Sequence, residues 1–297
     1  MFHTRKIAAA LALTAAFVPN LVHAGEGSFG WIYTLDLQPK GTLEFEQRLQ
    51  YNRAQAQNKY DFWQGRSELE YGVTENFQLA GYINYSYVNA YRNYRPNDEF
   101  PHGETAGWGV SYPSDEKYRK GRLEGGSIEA IYRLTNPVVD PVGVGLYGEV
   151  TLGSMKDEVE ARLLLQSNFL DDKLVLAANL VGAIEKVKFV QGETGPESMV
   201  DVLFGATYRF ANNWTAGLEA RFHNDFYGYR YETQTQRAWF FGPNAHYATK
   251  DWWVTGAWRW QPTGGKCWAP NDAECSDGRV WDSHTKNEFI MKFGMPF

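Results

Sequence analysis

The sequence predicts an all-β protein: a transmembrane antiparallel up-and-down β-barrel of about twelve strands with both termini in the periplasm. Three observations predict this class: a leader at the N-terminus, apolar and polar residues that alternate with a period of two, and short turns that alternate with longer loops. The chain is hydrophilic on average, although 16% of its residues are aromatic. Lipid-facing and lumen-facing residues cancel in such an average, so a barrel fits this composition.

Residues 1–24 have the three parts of a secretory signal peptide. Two basic residues precede an apolar run from Ile7 to Val18, and the small residues of a cleavage site follow at 22–24. The run is shorter than the roughly 20 residues that a membrane-spanning helix needs. We therefore predict a cleaved leader, and a mature chain that starts outside the cytoplasm at Gly25.

The segment 25–40 follows the leader, and the parity of the strands decides how we place it. A strand over 31–37 would raise the count to thirteen and put one terminus outside the cell. We prefer a non-spanning segment that lies in the periplasmic mouth or in the lumen, where it is a candidate plug. A thirteenth strand is the alternative.

Strand-like alternation begins at residue 41 and continues to the C-terminus. From 43 to 52, apolar side chains occupy every second position and polar side chains lie between them, with Gln47 as the one exception. A strand satisfies this period and a helix does not. The pattern recurs over 63–73, 77–87, 121–134, 142–153, 157–169, 174–188, 199–210, 214–224, 237–248, 252–261 and 286–297. Each segment is near the roughly 9–11 residues that a tilted strand needs to cross a membrane.

The connections between these segments alternate in kind. Short connections are built from turn residues, whereas three long ones cover about 88–120, 224–236 and 262–283. Short turns on one side and longer loops on the other are typical of outer-membrane barrels, whose long loops lie outside. The sequence therefore predicts a barrel domain over 41–297 in the outer membrane, in contact with membrane lipid and lipopolysaccharide.

Glutamate and arginine alternate closely on the polar face, which favours a barrel over a soluble β-sandwich. A sandwich exposes its polar face to open solvent, whereas a lumen crowds charges of both signs together. Such walls can select polar or zwitterionic solutes. The predicted inward-facing residues, which are our candidates for solute selectivity, are Glu44, Glu46, Arg48, Arg66, Glu68, Glu70, Glu129, Arg133, Glu160, Arg162, Glu219, Arg221 and Arg259.

We expect a narrow, charge-lined pore for small polar solutes, because twelve strands lie between side-chain-filled barrels and wide porins. The alternative is a structural or recognition barrel that binds glycan or lipopolysaccharide through its loops, with phosphate contacts from Arg119, Lys120 and Arg122. A lipid hydrolase is less favoured, because the adjacent Ser283 and His284 point to opposite sides of an extended chain. We expect no enzyme activity and no cofactor.

Two histidines raise the question of a metal site in the lumen. Pairing the hairpin through the 226–236 loop places His223 opposite about Trp239 and His246 opposite about Ala216. The two rings are then too far apart to share an ion, so no metal site is expected. The net charge of −6 also gives no sign of a nucleic-acid partner.

Cys267 and Cys275 are the two cysteines of the chain. They lie close together in sequence, in a part of the chain predicted to be exported. In an oxidising compartment we expect them to form a local disulfide.

The C-terminal stretch Asn287–Phe297 resembles the C-terminal signature of bacterial outer-membrane β-barrels. The matching residues are Phe289, Met291, Phe293 and Phe297. Pro296 departs from the pattern, since proline cannot donate to a ladder. The resemblance implies recognition by the barrel-assembly machinery. We also expect this last strand to pair with the first strand, which would leave the sheet without a free edge.

The mature N-terminus, FGWIYTLDLQPKGTLEFEQ (29–47), resembles a proteobacterial outer-membrane barrel family of unknown function. The likeness runs over the whole mature chain, but only this block is distinctive. The resemblance implies the fold and the location, and it supplies no substrate and no catalytic residue.

Overall fold

The computed structural model describes residues 26–54, 59–91, 117–188, 194–262, 266–267 and 285–297. The signal peptide, most of the 88–120 and 262–283 loops, Cys275, Ser283 and His284 lie outside these residues. The leader and the disulfide therefore stay predictions. No helix among the described residues has the length and apolar character of a membrane span.

The described residues form twelve long strands and one two-residue strand in a single antiparallel sheet. The strands are β1 (Leu43–Arg53), β2 (Lys59–Thr74), β3 (Phe77–Tyr91), β4 (Lys117–Thr135), β5 (Gly143–Gly153), β6 (Lys156–Phe169), β7 (Leu174–Lys188), β8 (Thr194–Ala211), β9 (Trp214–Tyr227), β10 (Thr233–Ala248), β11 (Trp253–Trp260), β12 (Lys266–Cys267) and β13 (Asn287–Pro296). The predicted barrel of twelve spanning strands is confirmed, and the short β12 is additional.

The sheet closes because β13 pairs with both β1 and β11, and β11 pairs with β10. In the closing pair, Glu44 lies opposite Pro296 and Arg53 lies opposite Asn287. The N–H of Phe297 donates to the carbonyl of Leu43 at 2.8 Å, which extends the ladder to the last residue. The predicted pairing of the first and last strands is confirmed.

The two faces of β13 show how the alternation sorts side chains. Phe289, Met291 and Phe293 are 39%, 51% and 37% exposed on the outer face, whereas Glu288 and Lys292 are buried inside. A large apolar side chain gains by facing lipid, and a charged one can be satisfied only in the lumen. The same sorting holds around the barrel, so we describe each inward side chain as lining the lumen.

The barrel has two different ends. The turns after β2, β4, β6, β8 and β10 are short and define what we call the short-turn end; we call the opposite end the long-loop end. Several strands extend further towards the long-loop end than predicted, for example β2, which begins at Lys59 rather than at 63. The alternation is hidden there because Tyr60 and Phe62 are apolar and yet buried on the inner face.

The hairpin of β9 and β10 differs by one residue from the predicted register. His223 lies opposite Ala238 rather than Trp239, and His246 lies opposite Thr215 rather than Ala216. The reason is a turn over 228–232 combined with a β-bulge between Gln234 and Gln236, which adds one unpaired residue. The histidines still lie far apart along the strands. No group of three or more His, Cys, Asp or Glu that could hold a metal ion occurs in the described part of the chain.

Candidate functional site

The N-terminal residues before β1 lie inside the barrel. Residues 26–42 form one turn of 3-10 helix (Glu26–Ser28) and no strand, and every residue from 29 to 38 except Asp36 is buried. Side chains from β1, β3, β6, β7 and β9 donate to or accept from this stretch. A stretch that touches walls all round a barrel crosses its lumen, and we call residues 26–38 the luminal segment.

Side chains of the wall hold the backbone at the start of the luminal segment. The Glu219 carboxylate accepts from the N–H of Gly30 at 2.6 Å and from the N–H of Trp31 at 3.0 Å. The Asn179 amide accepts from the N–H of Tyr33 at 2.8 Å and donates to the Tyr33 carbonyl at 2.9 Å. Buried backbone groups require partners, and here side chains supply what a neighbouring strand would supply in a sheet.

The same arrangement continues along the second half of the luminal segment. Gln166 accepts from the N–H of Leu35 at 2.6 Å, and Arg133 donates to the Leu35 carbonyl at 3.1 Å. Gln78 accepts from the N–H of Gln38 at 2.7 Å. The segment is thus bonded to the wall without belonging to the sheet.

Apolar packing fixes the other side of the luminal segment. Two buried clusters join it to the wall. The first contains Phe29, Trp31 and Ile32 with Ala177, Val181, Leu203, Ala257 and Ile290; the second contains Tyr33, Leu35 and Leu37 with Ile131, Tyr147 and Leu164. These wall residues belong to β4–β8, β11 and β13. The lumen therefore contains a packed apolar core, which the polar inner face alone does not predict.

All thirteen predicted lumen residues lie on the inner face. Glu44, Glu46, Glu68, Glu70, Glu129, Glu160, Glu219 and Arg259 are buried, whereas Arg48, Arg66, Arg133, Arg162 and Arg221 are partly exposed. Burial of so many carboxylates requires compensation, because an uncompensated buried charge costs several kcal/mol.

Ion pairs along single strands provide part of that compensation. Arg66 pairs with Glu68 at 2.7 Å, and Arg162 pairs with Glu160 at 2.6 Å. Each pair joins residues two positions apart on one strand, which point the same way. The sequence pattern showed these neighbours directly.

Other charged residues that alternate along one strand have their partners on other strands or on the luminal segment. Glu129 and Arg133 alternate on β4, but Glu129 accepts from the hydroxyls of Tyr33 at 3.1 Å and Tyr147 at 3.0 Å, and Arg133 reaches Leu35. Glu219 holds the luminal segment, so Arg221 pairs instead with Asp201 on β8. Cross-strand partners depend on the register between strands, which the order of residues within one strand does not reveal.

Three arginines enclose the aromatic residues of the lumen. The guanidinium of Arg162 lies 4.6 Å from the ring centre of Tyr33, and that of Arg259 lies 4.1 Å from Trp31. Arg66 lies 4.1 Å from the ring of Tyr82. The contacts of Arg162 and Arg259 tie the charged wall to the luminal segment, whereas that of Arg66 joins β2 to β3 within the wall.

Several residues of this site were missed by sequence analysis. Asn179, Gln166 and Gln78 hold the luminal segment, and Asp201 and Asp225 hold His223 at 2.7 Å and 2.8 Å. The available signal was only that each amide is a polar residue at an inward position. That signal does not say what the amide contacts.

Asp36 is the titratable group of the luminal segment with a shifted pKa. Burial raises the pKa of its carboxyl above the usual range, against the lowering effect of hydrogen bonds from Gln166 and Thr34 and of the Arg133 charge. The Gln166 amide lies 3.4 Å from both carboxylate oxygens. Asp36 in the docked segment therefore binds a proton more tightly than an aspartate in water does.

The basic cluster expected in the 88–120 loop is divided between the two faces of β4. Lys120 and Arg122 lie opposite Val88 and Ser86, on the inner face, whereas Arg119 lies opposite Asn89 and donates to its side chain at 3.3 Å. These three side chains do not form one outward patch for lipopolysaccharide phosphates.

The fold is similar to that of two solved outer-membrane channel structures. The NanC porin aligns with a TM-score of 0.50 at 9% identity, over 85% of this chain and 98% of that chain. The COG4313 outer membrane channel from Pseudomonas putida F1 aligns with a TM-score of 0.56 at 8% identity, over 87% of this chain and 96% of that chain. At such identities the likeness shows the fold alone. No curated protein matches the chain in sequence. The model of the family of unknown function DUF6662 matches residues 21–297, so the chain belongs to that family.

Proposed function

We propose that this protein is an outer-membrane pore for small polar solutes, narrowed by its own luminal segment. The observation that carries the proposal is an asymmetry of the inner wall. The apolar side chains of the luminal segment pack on β4–β8, β11 and β13, and neither buried cluster includes a residue of β1–β3. The polar inward residues Arg48, Gln50, Gln64 and Asn84 of β1–β3 are at least partly exposed, as are Arg133, Arg162 and Arg221 elsewhere on the wall. An accessible polar strip beside a packed segment supports a narrow passage through the lumen.

The membrane location rests on the outer face of the barrel. Large apolar side chains cover that face, for example Ile83, Leu123 and Ile128 at 56%, 67% and 70% exposure. Such a surface is costly in water and favourable in lipid, and a closed sheet is one of the two structures that can span a bilayer. The predicted leader and the two porin-like folds support the outer membrane.

A pore is favoured over a hydrolase by the chemistry of the described lumen. Both ring nitrogens of His223 contact carboxylates, Asp201 and Asp225, so the imidazole is held between acids rather than beside a nucleophile. The recognition alternative requires basic side chains that point outward, towards lipopolysaccharide. Lys120 and Arg122, two of the three basic residues expected to do so, lie on β4 and face inward.

The test is single-channel conductance of the purified protein in a planar bilayer. Wild type is expected to give small, discrete steps, and deletion of residues 26–38 is expected to enlarge them. No steps at any voltage in either protein would overturn the proposal.

A tethered variant covers the case in which the deletion fails to fold. A Cβ atom at Gly30 would lie 2.6 Å from Cβ of Ala257 and 2.7 Å from Cγ2 of Ile290. Because the Cβ atoms of a disulfide are roughly 3.5–4.5 Å apart, the segment must move by about 1 Å from the wall for the bond to form. In a C267S/C275S background, oxidised G30C/A257C should conduct no more than wild type, and its reduced form is the matched control.

A further inference from the structure

Three cations lie side by side on the inner wall. Arg48 on β1 is directly opposite Arg66 on β2 and directly opposite Lys292 on β13. Like charges at opposed positions of an antiparallel pair destabilise a sheet. Such a row needs compensation, and its three members are compensated unequally.

The two cations on either side of Arg48 have acidic partners. Arg66 pairs with Glu68 at 2.7 Å, and Lys292 lies 3.4 Å from Glu46 and 5.5 Å from the ring centre of Trp253. Arg48 forms no ion pair with any residue that the structure describes, and it is partly exposed. The positive charge of Arg48 therefore faces the water of the lumen.

A hydrogen-bond donor lies beside this charge. Gln64 is exposed on the inner face, two positions along β2 from Arg66, and it lies opposite Gln50. Its side-chain oxygen accepts from Asn52 at 2.9 Å, which fixes the amide orientation and leaves its Nε2 without a partner among the described residues. Arg48 and Gln64 thus occupy diagonal positions of the β1–β2 pair on the inner face, where both carry N–H donors.

The neighbouring acids do not cancel this arrangement. Glu46 and Glu68 are 0% and 1% exposed, and Glu44 and Glu70 are equally buried towards the short-turn end. None of these four carboxylates is accessible from the lumen, and Glu46 and Glu68 are paired with Lys292 and Arg66. The water-accessible charge on this strip of wall is the cation.

We propose that Arg48 and Gln64 form an anion-binding station on the lumen wall, which takes the carboxylate of a small solute that enters from the long-loop end. A guanidinium presents paired donors that match the two oxygens of a carboxylate, and the Gln64 amide adds a third. This inference rests on the proposed pore function and names its class of solute: small organic anions.

The first measurement is the reversal potential across a bilayer under a KCl gradient. Wild type should prefer chloride, and Arg48→Gln should lower the chloride-to-potassium permeability ratio about threefold or more, because it removes the accessible wall charge. Arg53→Gln is the matched control, since Arg53 lies on the same strand but on its outer face, opposite Asp61 and Asn287. It should leave the ratio unchanged.

The second measurement is calorimetric titration of the detergent-solubilised protein with citrate at low salt. Arg48→Gln should weaken citrate binding about tenfold, the value of one charge-assisted hydrogen bond. Gln64→Leu should weaken citrate binding less and leave the reversal potential unchanged, because it removes a donor without removing charge.

The outcomes separate this inference from the proposed pore. Channels that conduct with the same ion preference and the same citrate affinity in wild type and R48Q would refute the station and leave the pore. Arg48-dependent citrate binding in a protein that never conducts would support the station and refute the pore. Absence of citrate binding to wild type would also refute the station.

Discussion

The side chain of Asn179 and the backbone of Tyr33 exchange two hydrogen bonds, 2.8 Å from the Tyr33 N–H to Oδ1 and 2.9 Å from Nδ2 to the Tyr33 carbonyl. This is the exchange that two residues of adjacent strands make in a hydrogen-bonded pair. The Asn179 side chain therefore takes the place of a neighbouring-strand residue as the partner of Tyr33. Because the exchange involves a side chain, it can be broken without opening the barrel.

Asn179→Leu should release the middle of the luminal segment. The change leaves a buried N–H and a buried carbonyl unpaired, at a cost of about 2 kcal/mol or more. Hydrogen–deuterium exchange of residues 30–36 should then become about thirtyfold faster, as that free energy implies. Leu180→Ala is the control, since Leu180 is 51% exposed on the outer face. Equal protection in both variants would contradict a side-chain-held segment.

The inner and outer faces of the barrel were predictable from sequence, and the content of the lumen was not. Period-two alternation placed Glu288 and Lys292 inside and Phe289 outside, because each strand must present apolar side chains to lipid on one face. Asn179 and Gln166 look like any other polar lumen residues in that pattern. Their contacts with Tyr33 and Leu35 arise only when distant strands close around the segment.

The ends and registers of strands were the least predictable part of the fold. Tyr60 and Phe62 are apolar residues on the inner face of β2. Because the inner face is not polar there, the alternation of polar inward and apolar outward residues that predicts a strand is lost. The bulge between Gln234 and Gln236 shifts β10 by one residue, and no residue type in that stretch requires it. Both features depend on packing at the long-loop end rather than on local propensity.

Glu219→Gln should loosen the start of the luminal segment and leave its end in place. One Glu219 oxygen accepts from Gly30 at 2.6 Å and from Asn244 at 2.8 Å, and the other accepts from Trp31 at 3.0 Å. Glutamine has one acceptor oxygen, so one of these donors would face an amide NH2 group. Exchange should rise over 27–32 and stay unchanged over 35–38. Glu75→Gln, at an exposed turn, is the matched control.

Acidification should strengthen docking of the luminal segment through Asp36. Burial raises the pKa of this carboxyl in the docked state, so the docked state binds a proton more tightly than the released state. The cost of burying the ionised carboxyl is fully present above the raised pKa. It disappears as pH falls through the raised pKa towards the usual aspartate value.

Conductance tests this pH dependence. Wild-type conductance should fall on acidification as the segment docks more firmly, and Asp36→Asn should remove the part of the dependence due to Asp36. Identical pH profiles of wild type and D36N would contradict the role of Asp36.

Phe297→Ala should reduce the yield of folded barrel more than its stability. Phe297 is 68% exposed, so its ring contributes little packing, while its N–H still donates to Leu43 in the variant. A large effect on yield would therefore indicate recognition of the last strand during assembly. The measurements are heat-modifiable mobility of cell envelopes and thermal unfolding of the purified barrel. Phe169→Ala, another exposed phenylalanine at the short-turn end, should leave the yield unchanged.

Arg162→Met should destabilise the barrel, and a second substitution should restore it. Arg162 pairs with Glu160 at 2.6 Å and lies over the rings of Tyr33 and Tyr147 at 4.6 Å and 4.8 Å. Removing the cation leaves a buried carboxylate unpaired, which costs about 3–5 kcal/mol. Replacing both charges, as in E160L/R162M, removes that carboxylate as well and should return the unfolding free energy to within about 1 kcal/mol of wild type. Unfolding by guanidinium chloride in lipid vesicles gives the unfolding free energies of wild type, E160L, R162M and E160L/R162M. These four proteins form a double-mutant cycle. Additive losses would mean that the two side chains act independently, and that the Glu160 charge is compensated by other groups in the lumen.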